Sequence, residues 1–472
     1  MASIQRRVRV TGATTYIVKW REPNGKHRTK GGFATRKAAS VYANKVEDAH
    51  LRGVAFDPNA GKVLFRDAAQ AWLASRHDLK ETTLAAYRDV LAPTPGTGAT
   101  VKRHRRLADL RIDAVFGDYP LNAITREYIS AWVARMKNAG KKPSTIRNAY
   151  FLVRMVLGQA VEDGRLDANP ADYVKLPTDY NSGRTATVDD PSLFLSAAQV
   201  PALAAATPWP YSVLVHLAAW SGLRAAELGG LQVGDVLLPL PPVNPNALAK
   251  PAIVRVERTV VWLGSPHNGS AAPTYITPKT KGSHRQVPLP PATTALLRDY
   301  LAEHPNAHRP DAPLFPAVLL RAARPTGVRA ETKDGESAAL RQATALAGLS
   351  VAEAGERLEL DWGEPLRHAT FYKAVYRPAV LRANRMAAAT GAPALPPELK
   401  FHALRHTYAS LCIAAGRPAL EIARFMGHAR PSTTEAIYAH LFNTDDHAGA
   451  MAALGAMAAG PTYGENVVAL RG

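Results

Sequence analysis

Residues 427–441 read GHARPSTTEAIYAHL. Gly427 and His428 open the stretch, a run of small residues follows, and Tyr438 stands two positions before His440. A phenol with an ordinary pKa of about 10 is a poor nucleophile at neutral pH. It becomes a useful one only where a neighbouring group takes its proton and fixed charge stabilises its target. The tyrosine therefore gains chemical meaning only if the rest of the chain supplies those groups.

The chain has 472 residues, which predicts two to three domains. Lysine plus arginine exceeds aspartate plus glutamate by 58 − 39 = 19, a surplus that points to a polyanionic partner, most simply nucleic acid. The single cysteine, Cys412, excludes an intrachain disulfide and a cysteine metal cluster. It lies in the apolar run YASLCIAAG and reads as a small buried side chain. No 18-residue apolar span and no signal peptide is evident, so the expectation is a cytoplasmic protein with no membrane partner.

Residues 1–62 read as a small separate module. TTYIVKWREPNGKHRTKGGF alternates around Tyr16, Val18 and Trp20 and breaks at Pro23-Asn24-Gly25, a hairpin signal; a second strand is expected through Arg28 and Lys30. TRKAASVYANKVEDAHLRG then has helical spacing, with Thr35 as the expected N-cap. The module holds 13 basic and 4 acidic side chains, which favours DNA contact. Residues 63–180 show helical spacing at LFRDAAQAWLASR, TTLAAYRDVLA, TREYISAWVARMKNAG and PSTIRNAYFLVRMVLGQAVEDG, with Thr82, Thr125 and Ser144 as expected caps. The basic run Lys102–Arg106 suits an exposed loop, at a phosphate backbone or in solvent. Residues 181–192 are polar and turn-rich, a linker. In residues 193–455, AIVRVERTVVWLG and PTYITPKTKGSHRQVPL read as strands of one small antiparallel sheet among helices. Between Arg321 and Pro365 one helix is expected, at SVAEAGERL. Residues 456–472 form a tail, and AGAMAALGAMAAG just before and into it reads as an apolar helix. The fold class expected is mainly α with small antiparallel β-sheets, in several domains.

Three further stretches carry possible chemistry. SGLRAAEL places Arg224 three residues before Glu227, a spacing that lets the two share a helix face, as an ordinary helical ion pair also would. HALRH places His402 and Arg405 on one face, with His406 expected to point elsewhere. An arginine fork suits phosphate oxygens, and a histidine moves protons near neutral pH. His402 and His406 have i,i+4 metal-ligand spacing but lack the glutamate of a metalloprotease motif. PKTKGSHR clusters Lys279, Lys281 and Arg285 at an expected hairpin turn. Two arginines, a lysine, two histidines and a tyrosine are what a phenol needs to attack a phosphodiester, with no metal or cofactor called for.

In this order the stretches resemble the tyrosine recombinases, the phage integrase family, across nearly the whole chain. SGLRAAEL resembles the first arginine motif, HALRH the His-x-x-Arg motif, and MGHARPSTTEAIYAHL the Gly-His and tyrosine region. The resemblance implies that Arg224 and Arg405 clamp the phosphate, His402 assists acid–base steps, His428 bonds the phosphate and Tyr438 is the nucleophile. Lys279 is preferred over Lys281 as the catalytic lysine. Glu227 resembles the acidic residue that supports the active-site helix, and Ala403 departs from the family's usual aspartate. The implied layout is an arm-type DNA-binding module (1–62), a helical core-binding domain (63–180), a linker (181–192), an α+β catalytic domain (193–455) and a tail (456–472). The implied activity is site-specific DNA integration or excision by a homotetramer on double-stranded core and arm sites, with a host bending factor or directionality factor as possible partners. A type IB topoisomerase and a DNA-binding protein without activity are the alternatives.

Overall fold

The computed structural model describes residues 2–8, 13–22, 25–51, 53, 57, 59–92, 110–178, 194–240, 250–264, 271–277, 283–321, 337–428 and 430–438. The turn residues Pro23 and Asn24, the basic run 102–106, the expected linker 181–192, Lys279, Lys281, His440 and the tail lie outside them. The chain divides into two units, residues 1–182 and 183–472.

The first unit holds two hydrophobic clusters. Strands β1 (Ser3–Val8), β2 (Thr14–Arg21) and β3 (His27–Phe33) form an antiparallel sheet in that order, with Trp20 opposite Arg28 and Val18 opposite Lys30. Alternation puts Val18 and Trp20 on the inner face, against Ala39, Ala43 and Val46 of helix α1 (Arg36–Leu51). Thr35 Oγ1 accepts from the Ala38 N–H at 3.2 Å, as its expected cap role requires. The second cluster is built by α2 (Phe65–Ser75), α3 (Glu81–Leu91), α4 (Ile112–Phe116), α5 (Arg126–Asn138) and α6 (Pro143–Glu162). Ile146, Tyr150, Val153, Leu157 and Ala160 repeat at three- and four-residue spacing along α6 and face Phe65, Trp72, Phe116 and Trp132. Thr125 caps α5, accepting from the Tyr128 N–H at 3.1 Å. Thr82 and Ser144 are not caps. Their helices begin after Lys80 and Lys142, and Pro143, with its preset φ and missing N–H, opens α6 two residues earlier than expected.

The second unit is built around α8 (Tyr211–Ser221), whose Tyr211, Leu214, Val215, Leu217 and Ala218 are buried nearly all round. It follows α7 (Gln199–Ala205) and leads into α9 (Ala225–Gly230). The single sheet expected here is two. Strands β4 (Val236–Leu237), β5 (Ile253–Val256) and β8 (Arg285–Pro288) pair antiparallel in that order, and β6 (Thr259–Gly264) pairs with β7 (Ala271–Ile276). The charged pair Glu257–Arg258 interrupts the apolar alternation between β5 and β6, and Arg258 turns to meet Asp235. Helix α10 (Pro291–Glu303) precedes β9 (Pro316–Leu320).

The stretch between Arg321 and Pro365 contains more than the one helix expected. Helix α11 (Ala338–Gly348) is capped by Ser337, α12 (Val351–Glu356) by Ser350 with Glu353 in a capping box, and β10 (Leu358–Pro365) pairs with β9. Arg382 pins it to the core. This side chain is 1% exposed, and its guanidinium donates to the carbonyls of Ala206, Leu346 and Leu349 at 2.7–2.9 Å. Those carbonyls lie at the C-terminal ends of α7 and α11, where helix acceptors lack internal partners. Arg382 belongs to α14 (Arg377–Thr390), which follows α13 (His368–Phe371) and one π-helical turn, Tyr372–Tyr376. Helices α15 (Ala403–Ala414), α16 (Ala419–Met426) and α17 (Pro431–Tyr438) complete the unit, with HALRH on α15 and the tyrosine stretch running from the end of α16 through α17. The fold is mainly helical with small antiparallel sheets. Among the described residues no helix is long and apolar enough to cross a membrane.

Candidate active site

Helix α8 ends at Gly222, whose φ of +64° closes the helix in the left-handed region. A Cβ there would also meet the Tyr408 ring at 2.3 Å, so glycine is required twice over. Two residues later Arg224 caps α9 and turns back on it. Its backbone N–H and Nη1 donate to the two carboxylate oxygens of Glu227, at 2.7 and 2.9 Å, and its Nη2 donates to the Gly427 carbonyl at 3.1 Å.

Glu227 is 1% exposed and held from a second side. Arg285 Nη1 and Nη2 donate to its two oxygens at 3.0 and 2.9 Å, while Arg285 Nε reaches the Phe425 carbonyl and Nη1 also the Ser283 carbonyl. Burial alone would push the Glu227 carboxyl up, but the hydrogen bonds and charges of Arg285 and Arg224 hold it below its ordinary value. Arg285 is therefore not a turn cation. It stands two residues before Val287 on β8, so it shares that strand's buried face, and its side chain is 6% exposed. The alternation Arg285, Val287, Leu289 was the available signal, obscured by reading the arginine together with the lysines before it.

Arg405, on the first turn of α15, is 4% exposed. Its guanidinium donates to the Gly222 carbonyl and, at 2.7 Å, to the Met426 carbonyl. Among the described residues it forms no ion pair. Burial, with Arg224 adding to it, pulls its pKa down to about 9. Arg224 and Arg405 thus grip adjacent carbonyls of the turn 426–427. Gly427 makes that turn possible with φ +66°, and a Cβ there would meet Arg285 Nη1 at 2.9 Å.

The same turn delivers His428. Its Nδ1 lies 2.7 Å from Oγ1 of Thr434, a buried threonine on α17. Burial, then the charges of Arg405, Arg224 and Arg285, pull the His428 pKa down to about 4. A neutral ring that accepts from Thr434 at Nδ1 carries its proton on Nε2, as a donor. Thr434 had no sequence signal beyond the PSTT run.

Tyr438, at the end of α17, is 1% exposed and packs with Tyr408, Ile422 and Met426. Burial pushes its phenol up to about 12, and Arg405 draws it back down. Its hydroxyl lies 2.7 Å from Nδ1 of His406. This corrects the expectation that His406 points elsewhere. It stands four residues after His402, one helical turn along, and the two rings meet edge to face at 4.9 Å. Burial, then His402 and Arg405, pull the His406 pKa down to about 4. His402 itself is exposed, and burial with the Arg405 and Arg224 charges lowers its pKa too.

Arg224, His402, Arg405, His428 and Tyr438 are brought together; Lys279, with Lys281, lies outside the described residues. Cys412, expected buried, is half-buried, and burial raises its thiol to about 11. The arrangement sets three guanidiniums against one carboxylate beside a phenol with a neutral imidazole on its oxygen. Such a site suits an anionic, tetrahedral target.

Residues 254–444 match the phage integrase family. Over 256 residues the chain is 28% identical to a putative prophage phiRv2 integrase of Mycobacterium tuberculosis, covering 54% of this chain and 56% of the relative. It is 28% identical over 262 residues to an integrase of Mycobacterium phage D29, covering 51% and 63%. The chain thus spans little more than half the length of these curated relatives. A solved structure of the Tn1549 transposon integrase in complex with a circular intermediate DNA shares 16% identity and a TM-score of 0.49, covering 84% of this chain and 99% of that one. Within residues 254–444 the chain is thus similar to the phage integrases.

Proposed function

We propose that this chain is a site-specific DNA recombinase that cuts and rejoins strands through a 3′-phosphotyrosine on Tyr438. The observation that carries the reading is the pair of arginines on the 426–427 turn. Arg405 is buried against carbonyls alone, and Arg224 reaches the same turn while 40% of its side chain stays open to solvent. A buried cation without an anionic partner is costly, and an incoming phosphate would supply that partner.

In this reading Arg224 and Arg405 hold the nonbridging oxygens, and they act most strongly as charge builds on them. His428 donates to the phosphate through Nε2. His402, at the exposed edge, assists the acid–base steps. Lys279 gives its proton to the departing 5′ oxygen. The freed 5′ hydroxyl then attacks a partner strand's phosphotyrosine, so the energy of the phosphodiester is kept and no nucleotide is consumed. Residues 1–62 bind arm sites, residues 63–180 grip the core site, and residues 193–455 carry the chemistry. The charge of the first segment, 13 basic against 4 acidic side chains, supports the first of these roles. The working unit is a homotetramer on two core sites, with a DNA-bending or directionality protein as a further partner.

The test is covalent trapping on a nicked duplex bearing the core site. The parent chain should form a protein–DNA adduct. Tyr438→Phe should form none, while binding the same duplex within about threefold, because it lacks a single oxygen among many phosphate contacts. An adduct in the phenylalanine variant would end the assignment of Tyr438.

A further inference from the structure

We propose that His406 is a catalytic residue: its Nδ1 takes the phenolic proton of Tyr438 during attack and returns it during rejoining. The proposal rests on Tyr438 being the nucleophile. Its foundation is a direct contact, since His406 Nδ1 lies 2.7 Å from the Tyr438 oxygen, the atom that would bond to phosphorus. That distance is within the reach required of a general base. The phenol is 1% exposed, so bulk water is shut out as a proton acceptor. Among the described residues His406 is the one hydrogen-bond partner of that hydroxyl. If Nδ1 instead donated to the phenol, the phenol's own proton would have no described acceptor. Donation from the hydroxyl to Nδ1 is the arrangement that satisfies it.

The surroundings fit a base rather than a fixed cation. Arg405 is adjacent in sequence, His402 stands edge to face at 4.9 Å, and Phe194 covers the ring from another side at 6.4 Å. Burial, with the charge of Arg405 adding to it, keeps the resting imidazole neutral, hence able to accept. A bound phosphate adds negative charge beside the ring, which raises its basicity only when substrate is in place. His402 shares the helix face but is exposed and makes no described hydrogen bond to Tyr438, which leaves it for the DNA side of the site.

The step balances as follows. The Tyr438 oxygen bonds to phosphorus as the bond from phosphorus to the 5′ oxygen breaks. The phenolic proton passes to His406 Nδ1, and the 5′ oxygen takes a proton from the lysine ammonium proposed for Lys279. Rejoining reverses each transfer.

A substrate with sulfur in place of the bridging 5′ oxygen separates the two proton transfers, because a thiolate leaves without a general acid. Single-turnover cleavage by His406→Ala should fall roughly 10²-fold on both the oxygen and the sulfur substrates. Lys279→Ala should be slow on oxygen and near the parent rate on sulfur. In His406→Ala the rate should climb with pH as hydroxide replaces the lost base, and added imidazole should restore part of it. His406→Gln, which keeps a polar group near the phenol but is a far weaker base, should stay slow. It serves in place of the alanine variant if that one does not fold. Duplex binding within about threefold of the parent certifies the variants. Three results would overturn the proposal: rates within threefold of the parent, a defect confined to the oxygen substrate, or a defect on both with no imidazole rescue and an unchanged pH profile. A Tyr438→Phe variant that still formed the adduct would overturn the nucleophile itself, a different failure.

Discussion

Arg285→Ala should destabilise the second unit by about 3 kcal/mol. The substitution deletes two hydrogen bonds to Glu227 and one each to the carbonyls of Phe425 and Ser283, all from a side chain 6% exposed. Removing one partner of a buried pair costs about 3–5 kcal/mol, chiefly because the other charge stays buried. Glu227 keeps Arg224, whose side chain is 40% exposed, so the lower end of that range applies. The chain's single cysteine provides the assay. Cys412 lies on α15, and burial holds its thiol near 11, so the native form reacts slowly with a disulfide reagent at pH 8. An unfolded thiol, with a pKa of about 8.5, reacts fast. Pulsed labelling across a urea series on the full chain therefore reads the unfolding of this unit alone. Adding Glu227→Gln to Arg285→Ala should recover roughly 1–3 kcal/mol, since it removes the stranded charge. The reasoning is refuted if Arg285→Ala loses under 1 kcal/mol, or if the double variant is weaker than the single one.

Arg405→Ala and Arg224→Ala should each slow single-turnover cleavage by at least about 10²-fold, the scale of deleting one preorganised donor. Duplex binding should change far less, and rates within threefold of the parent would remove either arginine from the chemistry. His406 and His428 should make the protein acid-sensitive. Each folded ring has its pKa pulled from 6.5 to about 4, so between those values the unfolded chain binds protons that the folded one does not. Stability should therefore fall as pH drops from 6.5 toward 4, by up to about 2 kcal/mol per histidine at pH 5. His428→Gln should remove its share, measured as the difference between urea midpoints at pH 7 and pH 5 by tryptophan fluorescence.

The site was legible in the sequence where chemistry and spacing coincide. Arg224 three residues before Glu227 is by itself an ordinary helical ion pair; it gains meaning only in chain order with Arg405 three residues after His402 and Tyr438 ten after His428. His406 was misread although its i,i+4 relation to His402 was in view, because a helix face is wide and the residue next to Arg405 still reaches inward. Arg285 was misread because a charge near a turn is ordinarily solvated, and only a carboxylate 58 positions away in the chain makes its burial worthwhile. Long helices such as α6 were plain from periodicity, although a proline moved its start. Helix α11 and strand β10 were missed for a different reason. Alanine carries little hydrophobic pattern, and the partner that β10 needs lies on the far side of residues 322–336 in sequence.

Arg382 ties the length of this chain to the identity of one residue. Its charge is tolerable in the interior because two helix ends, one from α7 and one from α11, offer it their carbonyls. A shortened relative that dropped α11 would strip away two of the three acceptors and leave a cation facing apolar side chains. Arginine at 382 and helix α11 therefore depend on each other. In an engineered chimera, the segment must be grafted as a pair of distant pieces rather than as one contiguous stretch.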